Sequence, residues 1–96
     1  MTTRQERIRQ ILDEVFKPEW LEIIDESGKH ANHAGRQGLP AGETHYRVAM
    51  VAGCLAGQSR LARSRAVHEA LAAELSSGLH ALSLSLRTPE EADAAA

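Results

Sequence analysis

A single cysteine, a single phenylalanine, a single tryptophan and a single tyrosine mark this 96-residue sequence by what it has little of. One cysteine, Cys54, closes no disulfide within the chain and cannot by itself hold a metal or a cluster through thiolates. Aromatics at 3% (Phe16, Trp20, Tyr46) provide no stacking platform for single-stranded nucleic acid and leave the core to Leu, Ile, Val and Ala. No run of about 18 apolar residues occurs, so nothing reads as a membrane-spanning helix. The opening MTTRQERIRQ lacks the apolar core of a secretory signal, and cytoplasmic residence is the expectation. An excess of one charge is missing too. Eleven Lys and Arg stand against thirteen Asp and Glu for a net charge of −2, which excludes wholesale phosphate binding.

What is present is an average globular composition, 43% apolar and 25% charged, in a chain long enough for one core and too short for two. A single domain over residues 1–91 with a frayed tail at 92–96 is expected, because the ending EADAAA has little to pack. Thr3 and Glu6 have capping-box spacing, and Ile8, Ile11, Leu12, Val15 and Phe16 follow at helical intervals, so a helix is expected over residues 4–16. Pro18 stops it, and residues 20–25 continue as a strand. Residues 27–42 hold four glycines, a proline, His30 and His33 without apolar periodicity, which reads as a long loop.

Residues 44–51 form a second strand, with Tyr46, Val48 and Met50 on one face and His45, Arg47, Ala49 and Val51 on the other. A helix then runs from Ser59 to about Leu75, its stripe formed by Leu61, Val67, Leu71 and Leu75, and Gly78 ends it. Residues 79–87 alternate strictly as a third strand, after which Thr88 and Pro89 open a last helical turn. The fold class is therefore α+β: a helix, two antiparallel strands, a helical crossover and a third strand parallel to the second. In that topology the third strand begins at the edge where the long loop ends, so the loop histidines and His80 are expected to meet.

Five histidines are the unusual entry in the composition. His80 is in phase with Leu82, Leu84 and Leu86, a pattern that equally suits a core-edge residue bonded to backbone. His68 lies between Leu61 and Leu75 on the helical wheel and reads as structural, and His45 as a surface strand residue. Arg60, Arg63 and Arg65 lie in an acid-free stretch, residues 46–68, and are the candidates for phosphate contacts, although Arg63 and Arg65 point about 160° apart. Cys54 has neither a neighbouring base nor a second thiol. No nucleophile stands at motif spacing from a base, and no phosphate loop or carboxylate pair is found, so no catalysis is expected.

Four stretches converge on one family: LEIIDESGKHANHAG at 21–35, GETHYRVAMV at 42–51, LAGQSRLARSR at 55–65 and GLHALSLSLRTPEE at 78–91. The ordered set D-E-S-x-x-H, E-T-H-Y-R-V, G-x-S-x-x-x-R-x-R and H-A-L resembles the BolA family over nearly the whole chain. The resemblance implies a BolA-like fold, akin to the type II KH fold, and a monothiol glutaredoxin partner. It further implies a [2Fe-2S] cluster shared with that partner, which gives its active-site cysteine and a bound glutathione thiol. This chain would give His80 and a loop ligand. With no loop cysteine it is similar to the histidine branch, with His30 at the motif position and His33 as the alternative. Alone, the chain is expected to carry no cluster and to be a monomer or weak homodimer.

Three positions depart from the family pattern. Leu55 stands where an aromatic residue is common, Ser64 stands inside the usual R-H-R, and the loop is longer and adds His33. The resemblance thus points to an iron–sulfur accessory protein in iron regulation or cluster transfer. A nucleic-acid-binding transcriptional regulator with weak DNA affinity is the second reading, although the chain has no G-x-x-G loop of the KH kind. A His-only zinc or metal-sensing domain built from His30, His33, His45 and His80 is the third, although the spacing matches no zinc signature.

Overall fold

Thr3 opens the first helix as its spacing predicts, its Oγ1 accepting the Glu6 N–H at 3.1 Å. In the computed structural model, which describes residues 3–26 and 44–95, that helix, α1, spans Arg4–Phe16. It ends at Lys17, whose φ of 48° places a non-glycine residue in the left-handed region just before Pro18, with its N–H bonded to the Asp13 carbonyl. Three strands follow: β1 (Trp20–Asp25), β2 (His45–Val51) and β3 (Ala81–Arg87). Between β2 and β3 come a short 3₁₀ turn at Gly53–Leu55 and two helices, α2 (Arg60–Ala70) and α3 (Ala72–Ser76). A last helix, α4, spans Pro89–Ala95. His30 and His33 lie outside the described residues.

The sheet order is β1-β2-β3, with β1 antiparallel and β3 parallel to the central β2. This is the α+β topology expected from the sequence. Directly paired residues share a face, so Ile23, Val48 and Leu84 form one row, and Tyr46 with Leu82 and Met50 with Leu86 extend it. Ile8, Leu12 and Phe16 of α1, one helical turn apart, join Val67 and Leu71 to cover this face. The opposite face, carrying Trp20, Ile24 and Arg47, is exposed.

Tertiary packing revises the sequence reading at four places. The single long helix divides at Leu71, whose φ of −99° and ψ of 16° leave the helical region, and the turn beyond it directs Glu74 toward α1. Val15 and Leu61, both assigned to apolar stripes, are 58% and 59% exposed. Leu61 lies about 120° around the helix from Val67, and the inward row is Arg63, Val67 and Leu71. The third strand starts at Ala81 because the Leu79 N–H is used to close the preceding helix, on the Glu74 carbonyl. Finally, the tail expected to fray from 92 is helical to Ala95. Thr88 and Glu91 form a reciprocal capping box, the Thr88 N–H donating to Glu91 Oε1 and the Glu91 N–H to Thr88 Oγ1, with Pro89 at the first helical position.

A buried ionic clasp ties the two ends of the first helical layer. Arg4 Nη1 donates to Glu74 Oε1 at 2.9 Å, to the Glu74 carbonyl and to Ser77 Oγ, while Arg7 Nε donates to Glu74 Oε2 at 2.9 Å. The Arg7 hydrogen bond, followed by the charges of Arg7 and Arg4, holds the Glu74 carboxyl below its ordinary pKa against the opposing effect of burial. Gly78 sits against this clasp with φ 135°, and a Cβ there would meet Arg4 Nη2 at 3.0 Å.

Urea unfolding of variants at the clasp and at the end of α1 tests these assignments. Glu74→Gln should cost about 3 kcal/mol in urea unfolding, because it leaves a buried guanidinium without its counter-charge. Because the Glu74 pKa is depressed on folding, its contribution is present above the unfolded carboxylate value and lost as pH falls through the folded one. The wild type should therefore lose stability on acidification more steeply than Glu74→Gln. Gly78→Ala should cost roughly 1–2 kcal/mol from backbone strain, and Lys17→Gly should gain up to about 1 kcal/mol by relieving the left-handed position.

Candidate functional site

One end of the sheet collects the residues singled out at the start of the third strand. The Thr44 carbonyl accepts the His80 N–H at 2.8 Å and the Ala81 N–H at 3.1 Å. On the other side of β2 the Glu26 N–H donates to the His45 carbonyl at 2.8 Å. Glu26 and Thr44 are thus the last and first described residues around residues 27–43, and both are laced to the strand end where His80 stands. The topological rule accounts for the Thr44–His80 contact, since a parallel third strand starts where the second does, and the expected meeting of His30 and His33 with His80 falls outside the described residues.

His80 is exposed and lies one residue before β3, so its backbone is fixed by Thr44 while its ring reaches solvent. His45, paired with Ala81, is half-buried on the other sheet face, and its Nδ1 lies 2.9 Å from Thr44 Oγ1. Arg47 on that face pairs with Glu26 at 3.5 Å. Among the described residues no group of three or more His, Cys, Asp and Glu stands together as a metal cage. His68 is on the exposed side of α2 with its Nδ1 donating to the Ser64 carbonyl at 2.8 Å, and Cys54 is exposed with its thiol donating to the Phe16 carbonyl at 3.4 Å.

The three arginines proposed for phosphate contact separate in space. Arg60 and Arg65 are exposed, but Arg63 is buried. Its Nε donates to the Gln58 carbonyl at 3.0 Å, its Nη1 to the Leu86 carbonyl at 3.2 Å and to Glu91 Oε1 at 2.6 Å, and its Nη2 to Glu91 Oε2 at 3.2 Å. Arg63 is thereby withdrawn from the nucleic-acid candidates, since its guanidinium is spent on tying α2 to β3 and α4. The hydrogen bonds from Arg63 and from the Thr88 N–H lower the Glu91 pKa to about 2, and Glu91 in turn raises that of Arg63. The signal that locates this partner in the sequence is the T-P-E-E box, whose Glu91 faces back toward Thr88.

Comparison with known proteins was made with this geometry in hand. The family model described as BolA, BolA-like protein, matches residues 12–91. The mouse BolA-like protein 1 is 46% identical over 85 residues, covering 88% of this chain and 57% of that protein, so the chain spans little more than half of this relative. Among solved structures, BolA1 from Arabidopsis thaliana superimposes with a TM-score of 0.84 at 40% identity, covering 95% of this chain and 97% of the other. The BolA domain of SufE1 from the same plant does so with 0.81 at 38% identity, covering 95% and 98%.

Acidification tests the Arg63 assignment. Glu91 is depressed on folding, so its contribution is complete above the ordinary carboxylate range and is lost as pH falls through about 2. A carboxyl-carbon NMR titration should place its midpoint near 2 in the wild type and return it toward about 4.3 in Arg63→Ala. The same variant should lower the unfolding midpoint yet leave duplex-DNA affinity within about twofold, since a buried arginine neutralises no phosphate.

Proposed function

We propose, from the premise that this chain belongs to the BolA-like family, that it is a non-enzymatic iron–sulfur accessory protein of the cytoplasm that partners a monothiol glutaredoxin. In this reading the two proteins share a [2Fe-2S] cluster, with His80 and His30 as this chain's ligands and His33 as the alternative loop ligand. The observation that carries it is the exposed His80 beside Thr44, at the strand end that also holds Glu26. The name of the SufE1 relative, which carries a BolA domain, supports the iron–sulfur setting.

The chain's part in such a site is positional. Thr44 fixes the backbone of His80 on one side of β2, and the Glu26 N–H bond to the His45 carbonyl fixes the opposite side, so Glu26, four residues before His30 in the sequence, is held at the same strand end as His80. His30 follows Glu26 by fewer residues than His33 does, and the shorter tether loses less entropy when the ligand is fixed. A chain with one cysteine, exposed at Cys54 and bonded to the Phe16 carbonyl, contributes imidazole here and needs the partner for thiolate. When held, the cluster supplies electron-transfer capacity and a transferable iron–sulfur unit, at a higher potential with imidazole on one iron than with thiolates alone. Imidazole must be neutral to ligate, so retention weakens toward acid.

Anaerobic reconstitution with a monothiol glutaredoxin and glutathione, followed by visible circular dichroism, tests the proposal. His80→Ala should abolish the heteromeric cluster signal or reduce it at least about tenfold, with the far-ultraviolet spectrum unchanged. His30→Ala should alter the spectrum and shift cluster loss on the acid side, and His33→Ala should change little. A wild-type mixture without cluster signal overturns the proposal. A larger effect of His33→Ala reassigns the loop ligand.

A further inference from the structure

The edge of the sheet formed by β3 borders a groove of about 800 Å³ that runs between this strand and α2, away from the His80 end. Its apolar wall is Leu82, Leu84 and Leu86, each only half-buried. Its polar side carries Arg60, Arg87 and His68, all exposed, and the one carboxylate lining it, Glu91, is already bound to Arg63. A cationic groove on a chain of net charge −2 is selective for something.

The backbone adds a second, independent feature. The Arg87 carbonyl accepts the Ala52 N–H and so faces β2, whereas the Leu86 carbonyl faces the other way and accepts from Arg63. Successive strand residues alternate between the two edges, so the N–H and C=O groups of Leu82 and Leu84 also point away from β2, along the groove. Arg63 and Glu91 close the ladder at Leu86, leaving two consecutive ladder positions open among the described residues. We infer that this edge receives an extended acidic peptide as a fourth strand, its backbone on Leu82 and Leu84, alternate apolar side chains over the leucines and carboxylates toward Arg60 and Arg87. Charge complementarity selects the acidic class, and the strand-spaced donors and acceptors select a peptide. A nucleic acid is disfavoured because the groove holds no Phe, Tyr or Trp for base stacking and its most buried arginine is committed to Glu91. The inference is independent of the cluster reading, since it uses neither His80 nor residues 27–43.

The test uses the full chain labelled with nitrogen-15 and a short acetylated peptide of alternating valine and glutamate. Saturation should shift the amides of Leu82 and Leu84 and slow their hydrogen exchange. Arg60→Glu should weaken binding about tenfold without changing the unfolding midpoint, because Arg60 is exposed. Added salt should weaken the wild type as well. Methylating alternate peptide nitrogens should abolish the effect if the ladder is the contact. The inference is overturned by no detectable binding at millimolar peptide, by equal binding of the lysine-for-glutamate peptide, or by shifts confined to other residues. Tighter binding of oligodeoxythymidylate at the same amides would give the groove to nucleic acid and overturn it equally.

Discussion

The parallel pairing of β3 with β2 is the constraint on which the rest of this molecule depends. A parallel neighbour cannot be reached by a tight turn, so the chain must cross over the sheet through α2 and α3, and that crossover covers the face formed by Ile23, Tyr46, Val48 and Met50. The same pairing starts β3 where β2 starts, which puts His80 against Thr44. It also makes β3 an edge strand, with the groove against α2 beside it. Core, candidate ligand position and groove are three consequences of one register.

Two arginine–glutamate clasps hold that crossover in place at its two ends. Arg4 and Arg7 grip Glu74 and Ser77 where α3 turns into Gly78, so the helix that precedes His80 is fixed to α1. Arg63 grips Glu91 and the Leu86 carbonyl, so the start of α2 is fixed to the end of β3 and to α4. Both involve guanidinium groups that offer several donors in a plane, which lets one buried charge satisfy a carboxylate and nearby carbonyls together. Such clasps add little net stability over apolar packing, but breaking one side leaves a buried charge, which penalises alternative arrangements of the helices.

The division of labour between the ends of β3 follows from these fastenings. At its start the backbone is held by Thr44 while the His80 side chain remains exposed. At its finish Arg63 and Glu91 occupy the outer edge, so only the middle of the strand offers unoccupied ladder groups among the described residues. A docked segment and a shared metal site would therefore use different parts of one strand.

The sequence by itself determined the element order, the mixed sheet and the placing of His80 beside the start of β2, because each rests on a local period or a rule of chain connectivity. Alternation marked Tyr46, Val48 and Met50 as inward, the helical interval marked Ile8, Leu12 and Phe16, and Thr3 marked its own cap. The motif residues carried the family, and with it the roles proposed for His80 and His30. Only the tertiary structure decided that Arg63 is buried while Leu61 is exposed, and that the crossover breaks at Leu71. Those outcomes turn on partners distant in sequence: Glu91 and the Leu86 carbonyl lie 28 and 23 residues from Arg63, and Glu74 lies 70 from Arg4. A period in the sequence reports which face a residue occupies, but whether a charge on that face is buried depends on the energy of a counter-charge that only the completed fold brings within reach.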